Sequence, residues 1–161
     1  MAERAPPPPF LVDHMLAKLG AYLRCIGLDA ASSALLRREL LQHARVESRV
    51  LLTRSPKLAG LAPPDAHVFR VEDADPVRQL WAVVRAFDID PRARLFTRCI
   101  RCNVELALLE GRGEWTSRVP PRVLERHARF WTCPACGTIF WRGTHVANTC
   151  AKLGIVSPED T

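Results

Sequence analysis

Two Cys-x-x-Cys pairs constrain this chain more than any other feature: Cys99 with Cys102, and, 30 residues on, Cys133 with Cys136. A tight turn presents both sulfurs of a pair on one side. Two such turns complete the tetrahedron of thiolates that zinc accepts, at about 2.3 Å per sulfur. Gly137 suits the second turn, where a residue free to take positive φ lets backbone amides face the sulfurs. Two disulfides or a redox pair are the competing uses of such cysteines. The doubled motif, in a chain whose first residues lack the apolar core of a secretory signal, favours structural zinc. His145 is a further candidate zinc ligand, but four cysteines already fill the site. Cys25 and Cys150 read as a small buried residue and a free thiol.

The 161 residues suffice for one ordinary domain or a small domain plus a metal-stapled module, and 48% hydrophobic residues can build a core. No run approaches the length of a membrane span. A soluble, reducing, cytoplasmic setting is the expectation, and it suits free thiolates. The net charge of +6 is uneven: residues 92–161 hold 11 Lys/Arg against 6 Asp/Glu, and residues 1–91 hold 12 against 11. Of the 23 basic residues 20 are arginine, whose planar fork matches phosphate and stacks on bases. Nucleic acid is the natural partner class. A coding bias towards arginine would produce part of the same signal.

Residues 1–9 read as a disordered proline-rich tail. Phe10-Leu11-Val12 reads as a buried strand ending on Asp13. Met15, Leu16, Leu19, Tyr22, Leu23 and Ile26 then recur at helical spacing until Gly27. A second helix is expected from a cap at Ser32 or Ser33, burying Leu36, Leu40, Leu41 and Ala44. Val50–Thr53 is a second strand, and Ser55-Pro56 caps a short helix that stops by Gly60. Val68–Val71 is a third strand. Asp75-Pro76 opens a helix with Val77, Leu80, Trp81, Val84 and Phe87 on one face. Alternating strands and helices predict an α/β fold, a parallel sheet with helical crossovers, over residues 10–95. A zinc ribbon follows over 96–146, with a short helix from Pro121 and strands flanking the second cysteine pair. Residues 147–161 read as a C-terminal tail.

Open parallel sheets bind ligands beyond the carboxyl ends of their strands. Asp13 follows the first strand, Ser55 the second, and Glu72, Asp73 and Asp75 the third. Converging acids there would cage magnesium or manganese, which can activate water against a phosphodiester. Asp13 and Asp75 are equally well placed to cap helices.

These residues resemble a known family. Phe10–Asp13, Met15–Leu19, Tyr22–Arg24 with Gly27, Arg49–Arg54 and Gln79-Leu80 look like the opening of the Mut-seven C-terminal RNase family. Phe96–Cys99, Cys102-Asn103, Val119–Pro121, Phe130–Gly137, Phe140-Trp141, Gly143 and His145 resemble its zinc ribbon. The resemblance implies a PIN-like nuclease domain joined to a four-cysteine zinc ribbon, acting on RNA with a divalent metal. Two positions depart from the family pattern. Ser55 stands where the family carries aspartate, and Arg37-Arg38-Glu39 leaves only Glu39 of an acidic cluster.

The expected catalytic acids are therefore Asp13, Glu39, Asp73 and Asp75. The zinc ligands are Cys99, Cys102, Cys133 and Cys136. Lys18, Arg54, Arg98, Arg101, Trp141 and Arg142 are expected to grip RNA, in single-stranded form. The leading reading is a metal-dependent endoribonuclease. A non-catalytic RNA-binding module with a decayed site and a protein-interaction adaptor are the alternatives.

Overall fold

The computed structural model describes residues 6–156; of the tail expected at 1–9, residues 1–5 lie outside them, and the Pro9 carbonyl accepts from the Val50 amide at 2.9 Å. A four-stranded parallel sheet forms the body. Its strands are β1 (Phe10–Asp13), β2 (Ala30–Ser33), β3 (Val50–Thr53) and β4 (Val68–Arg70), in the order β2-β1-β3-β4. β1 and β3 are inner strands buried throughout, which explains their unbroken apolar runs.

Side-chain alternation along these strands feeds two separate cores. Phe10, Val12, Val50 and Leu52 face α1 (Ala17–Cys25) and α4 (Pro76–Ala86), packing with Leu19, Leu23, Leu80 and Val83. Leu11 and Leu51 face the other way, against Leu40, Leu41 and Ala44 of α2 (Arg37–Val46) and Leu58 of α3 (Pro56–Gly60). The expected α/β fold with helical crossovers is present. Two of the predicted caps form: Ser55 Oγ accepts from the Leu58 amide at 3.1 Å, and Asp75 Oδ1 accepts from the amides of Val77 and Arg78 at 3.0 and 2.9 Å. Gly27 ends the first helical run at φ +82°, where a Cβ would lie 2.0 Å from the Arg94 carbonyl oxygen.

The second helix differs from expectation. Ser32 and Ser33 belong to edge strand β2, in register with β1 from Phe10↔Ala30 to Asp13↔Ser33. The helix starts only at Arg37, and Leu36, expected to be buried, is 70% exposed. A small, polar Ala-Ala-Ser-Ser segment carries no periodic strand signal, and it pairs because β1 offers an open edge.

Beyond residue 95 a three-stranded antiparallel sheet joins β5 (Ala107–Leu109), β6 (Phe130–Thr132) and β7 (Ile139–Phe140) in that order. The short helix α5 spans Pro121–Arg126. A last helix, α6 (Thr144–Leu153), starts at the end of the expected ribbon and runs into residues expected as a C-terminal tail over 147–161. It returns to the main body: Val146, Cys150 and Leu153 join the α1/α4 core, and Trp81 Nε1 donates to the Leu153 carbonyl at 2.9 Å.

Candidate functional site

Both turns of the cysteine pairs are built by backbone hydrogen bonds that close back onto the first sulfur-bearing residue. The amide of Asn103 donates to the Cys99 carbonyl at 2.9 Å and that of Gly137 to the Cys133 carbonyl at 2.8 Å. Asn103 and Gly137 both take positive φ, +62° and +67°. All four sulfurs lie within 4.8 Å of one another. The Sγ atoms of Cys99 and Cys136 are 4.0 Å apart, against an edge of about 3.8 Å for a regular tetrahedron of sulfurs around zinc. The four cysteines can therefore hold a structural metal ion, and their all-sulfur donor set suits zinc.

Protons are not shared evenly among these thiols. The hydroxyl and amide of Thr138 pull Cys136 down to about 6, while the hydrogen bond with Cys136, followed by burial, pushes Cys102 up to about 12. The protein itself thus favours a thiolate at Cys136, whereas the Cys99 and Cys102 thiols are both pushed up.

The first cysteine turn is latched to the parallel sheet. Buried Arg24 donates from Nε to the Ala30 carbonyl at 2.8 Å and from Nη1 to the Ile100 carbonyl at 2.6 Å, and its Nη2 bonds Ser32 Oγ. Burial lowers the Arg24 pKa, while nearby Cys99 and Cys102 act to raise it. Asn103 completes the latch: its Nδ2 donates to Asp29 at 2.7 Å and its Oδ1 accepts from the Ala30 amide at 2.9 Å. Arg49 donates to the same Asp29 oxygen at 2.7 Å. Burial acts to raise Asp29, but the Arg49 and Asn103 hydrogen bonds outweigh it and hold the carboxyl below its usual range. Sequence reasoning missed this latch, although an arginine among the apolar residues of the first helix was its visible signal.

At the sheet's carboxyl edge, Asp13 is only 6% exposed. Thr53 Oγ1, at the end of neighbouring β3, donates to Asp13 Oδ2 at 2.7 Å. The other oxygen, Oδ1, lies 3.0 Å from His14 Nδ1 and 3.4 Å from the Met15 amide. Thr53 Oγ1 also accepts from the Ser55 amide at 3.1 Å. A chain of hydrogen bonds therefore runs from Asp13 through Thr53 to Ser55.

The remaining acids lie elsewhere. Asp73 and Glu72 line a cavity of about 540 Å³ with Arg70, Arg78, Arg85 and Trp81. Asp73 Oδ1 accepts from the Asp75 amide at 2.9 Å, and Asp75 caps α4. Glu39 sits exposed on α2, beside Arg38, Gln42, His43 and Val46. Among the described residues, no three of these acids lie mutually within 4.8 Å; the four cysteines form the group that does. Asp13 with Thr53 offers one carboxylate and a hydroxyl, short of the six or so oxygens magnesium takes. The acids as placed do not make a finished cage for a hard ion.

The basic candidates divide similarly. Lys18, Arg54 and Arg101 are exposed. Arg98 turns inward, donating to the Asn103 carbonyl at 2.5 Å and to Glu105 at 3.3 Å. Trp141 is half-buried between Phe130 and His145, with ring centres at 6.4 and 6.0 Å. Arg142 lies over the Trp131 ring, 5.5 Å from its centre. Among the described residues no helix is long and apolar enough to cross a membrane.

The sequence profile of the Mut7-C RNAse domain matches residues 8–153, a span holding both the parallel sheet and the cysteine cluster. No curated protein and no solved structure matches the chain.

Proposed function

The chain belongs to the Mut7-C RNAse domain family, and from that premise we propose that it is an endoribonuclease that cuts single-stranded RNA in the presence of magnesium or manganese. The observation that carries this reading is Asp13, a buried carboxylate at the end of an inner parallel strand, held by the Thr53 hydroxyl. Carboxyl ends of parallel strands are where open α/β sheets act. Thr53 fixes one Asp13 oxygen and so orients the carboxylate towards the position an ion or a water would take. Asp73, Asp75 and Glu39 serve as outer acids that act when RNA is bound, and Lys18 and Arg54 meet the phosphates. The cysteine cluster holds zinc as a structural ion, and the arginine-rich ribbon presents the RNA.

A second reading, an RNA-binding module without cleavage, draws on two observations. Among the described residues the outer acids form no three-membered group with Asp13 within 4.8 Å, and Ser55 is occupied as a helix cap. One experiment separates the two readings. Zinc-loaded protein is incubated with labelled single-stranded RNA, with magnesium or manganese supplied or omitted. The nuclease reading expects metal-dependent cleavage that falls at least about 100-fold in Asp13→Asn, as loss of a central electrostatic group does. RNA bound but uncut under every condition would leave the binding module.

A further inference from the structure

Where α5 gives way to β6, Arg126, His127 and Arg129 face the loop that follows β7. Together with Ala128, Trp131 and Arg142 they line a cavity of about 390 Å³. That is the size range of small-ligand sites, about 300–1,000 Å³. Three guanidinium groups and an imidazole line it, and among the described residues no carboxylate does. Arg142 and Trp131 are half-buried, with the guanidinium over the indole at 5.5 Å from its centre, whereas Arg126 and Arg129 are exposed. A guanidinium held over an indole makes a positively charged aromatic surface, and RNA recognition uses arginine and aromatic planes to stack unpaired bases. Two arginine forks beside this surface match the spacing-tolerant, bidentate demands of phosphate oxygens.

We propose that this groove is a nucleotide subsite for single-stranded RNA. One base lies on the Arg142–Trp131 pair, and Arg126 and Arg129 hold the flanking phosphates. An acidic peptide would satisfy the forks but would leave the aromatic surface without a planar partner. The proposal rests on the reading that the chain acts on RNA and gives that reading its docking residues.

The test uses the full zinc-loaded chain and a fluorescein-labelled octauridylate, with magnesium omitted so that nothing is cut. Anisotropy across a salt series should give the Arg126→Gln/Arg129→Gln variant at least tenfold weaker binding at low salt. The plot of log affinity against log salt should flatten by about 1.4, two single-strand phosphate contacts at about 0.7 each. An octamer lacking its bases should bind wild type about tenfold more weakly, and Arg142→Gln should bind both probes alike. Zinc content and melting temperature, read on each variant, identify losses due to unfolding; Arg142→Gln and the double variant report independently. Wild-type binding with an undiminished double variant would overturn the groove and leave the RNA reading standing. A wild type that neither binds nor cuts RNA would overturn both. Equal competition by hexaglutamate would overturn the groove in favour of an acidic protein partner.

Discussion

The cysteine turns and the carboxyl edge of the parallel sheet are both places where polar side chains from separated segments meet, yet only one has converged. The sulfurs reach 4.0 Å across the two turns because each turn fixes its own pair and the antiparallel β5-β6-β7 sheet brings the turns together. At the sheet edge each acid serves a local bond instead: Asp13 to Thr53, Asp73 to the Asp75 amide, Asp75 to its helix. Sheet geometry explains the gap. β3 lies between β1 and β4, so residues ending those strands start roughly 9–10 Å apart, two strand spacings. A carboxylate beyond β3 would bridge them, and the chain has Ser55 there.

Breaking the converged region should have the largest effect. Cys133→Ser removes a fully buried ligand from the cluster. Structural zinc sites contribute on the order of 10 kcal/mol to folding. Elemental analysis should find one zinc per wild-type chain and none in the variant, with loss of β5–β7 structure by circular dichroism. A metal-free wild type with two disulfides would remove the zinc reading altogether.

Cutting the link between the regions should cost less. Arg24→Met leaves the Ile100 and Ala30 carbonyls without their donor while roughly keeping apolar volume. A buried charge-assisted network of this kind is expected to cost on the order of 3 kcal/mol. Chemical denaturation should show that loss, and zinc should also leave faster to a competing chelator. Unchanged zinc release would mean that the turn holds its shape without the sheet.

How far this was legible in the sequence follows from the same contrast. Two-residue spacing encodes a cysteine turn, so the four sulfurs could be read directly. Ser55-Pro56 and Asp75-Pro76 likewise announced their helices. β2 escaped because Ala30–Ser33 has neither branched nor alternating apolar residues, and α6 because only three of its ten residues are buried. The strand-end positions of the acids were visible, but their separation depended on strand order, which local pattern does not carry. Arg126, His127 and Arg129 carry no motif or spacing signal in the sequence; folding sets them around Trp131.

Acid should probe the latch from the other side. Asp29 has its pKa held below the ordinary carboxylate range in the folded chain. Its contribution is therefore complete above about pH 4–5 and is lost as pH falls through the folded value. Asp29→Asn should flatten the acid limb of a stability–pH curve and leave the neutral limb nearly parallel to wild type. An acid limb of unchanged slope would mean that other carboxylates carry the transition.

The smallest change in stability should come from Ser55→Asp, the substitution that asks whether the dispersed edge can be made to converge. Ser55 Oγ caps α3 through the Leu58 amide, and aspartate caps about as well, so stability should move by no more than about 0.5 kcal/mol. The new carboxylate would stand beyond β3, on the residue whose backbone amide donates to Thr53 Oγ1, which in turn donates to Asp13. Two carboxylates so placed repel each other, and a divalent cation relieves that repulsion, so the gain should appear in metal dependence. Half-saturation by magnesium should drop about three- to tenfold, with cleavage of single-stranded RNA rising in step. Asp13→Asn should cancel the gain, because the bridge would then have one end. If Ser55→Asp leaves metal dependence where it was while the cap survives, the acid at position 55 is not what separates Asp13 from Asp73. In that case the sheet edge works, if it cleaves RNA, through Asp13 and Thr53 without a second strand-end carboxylate.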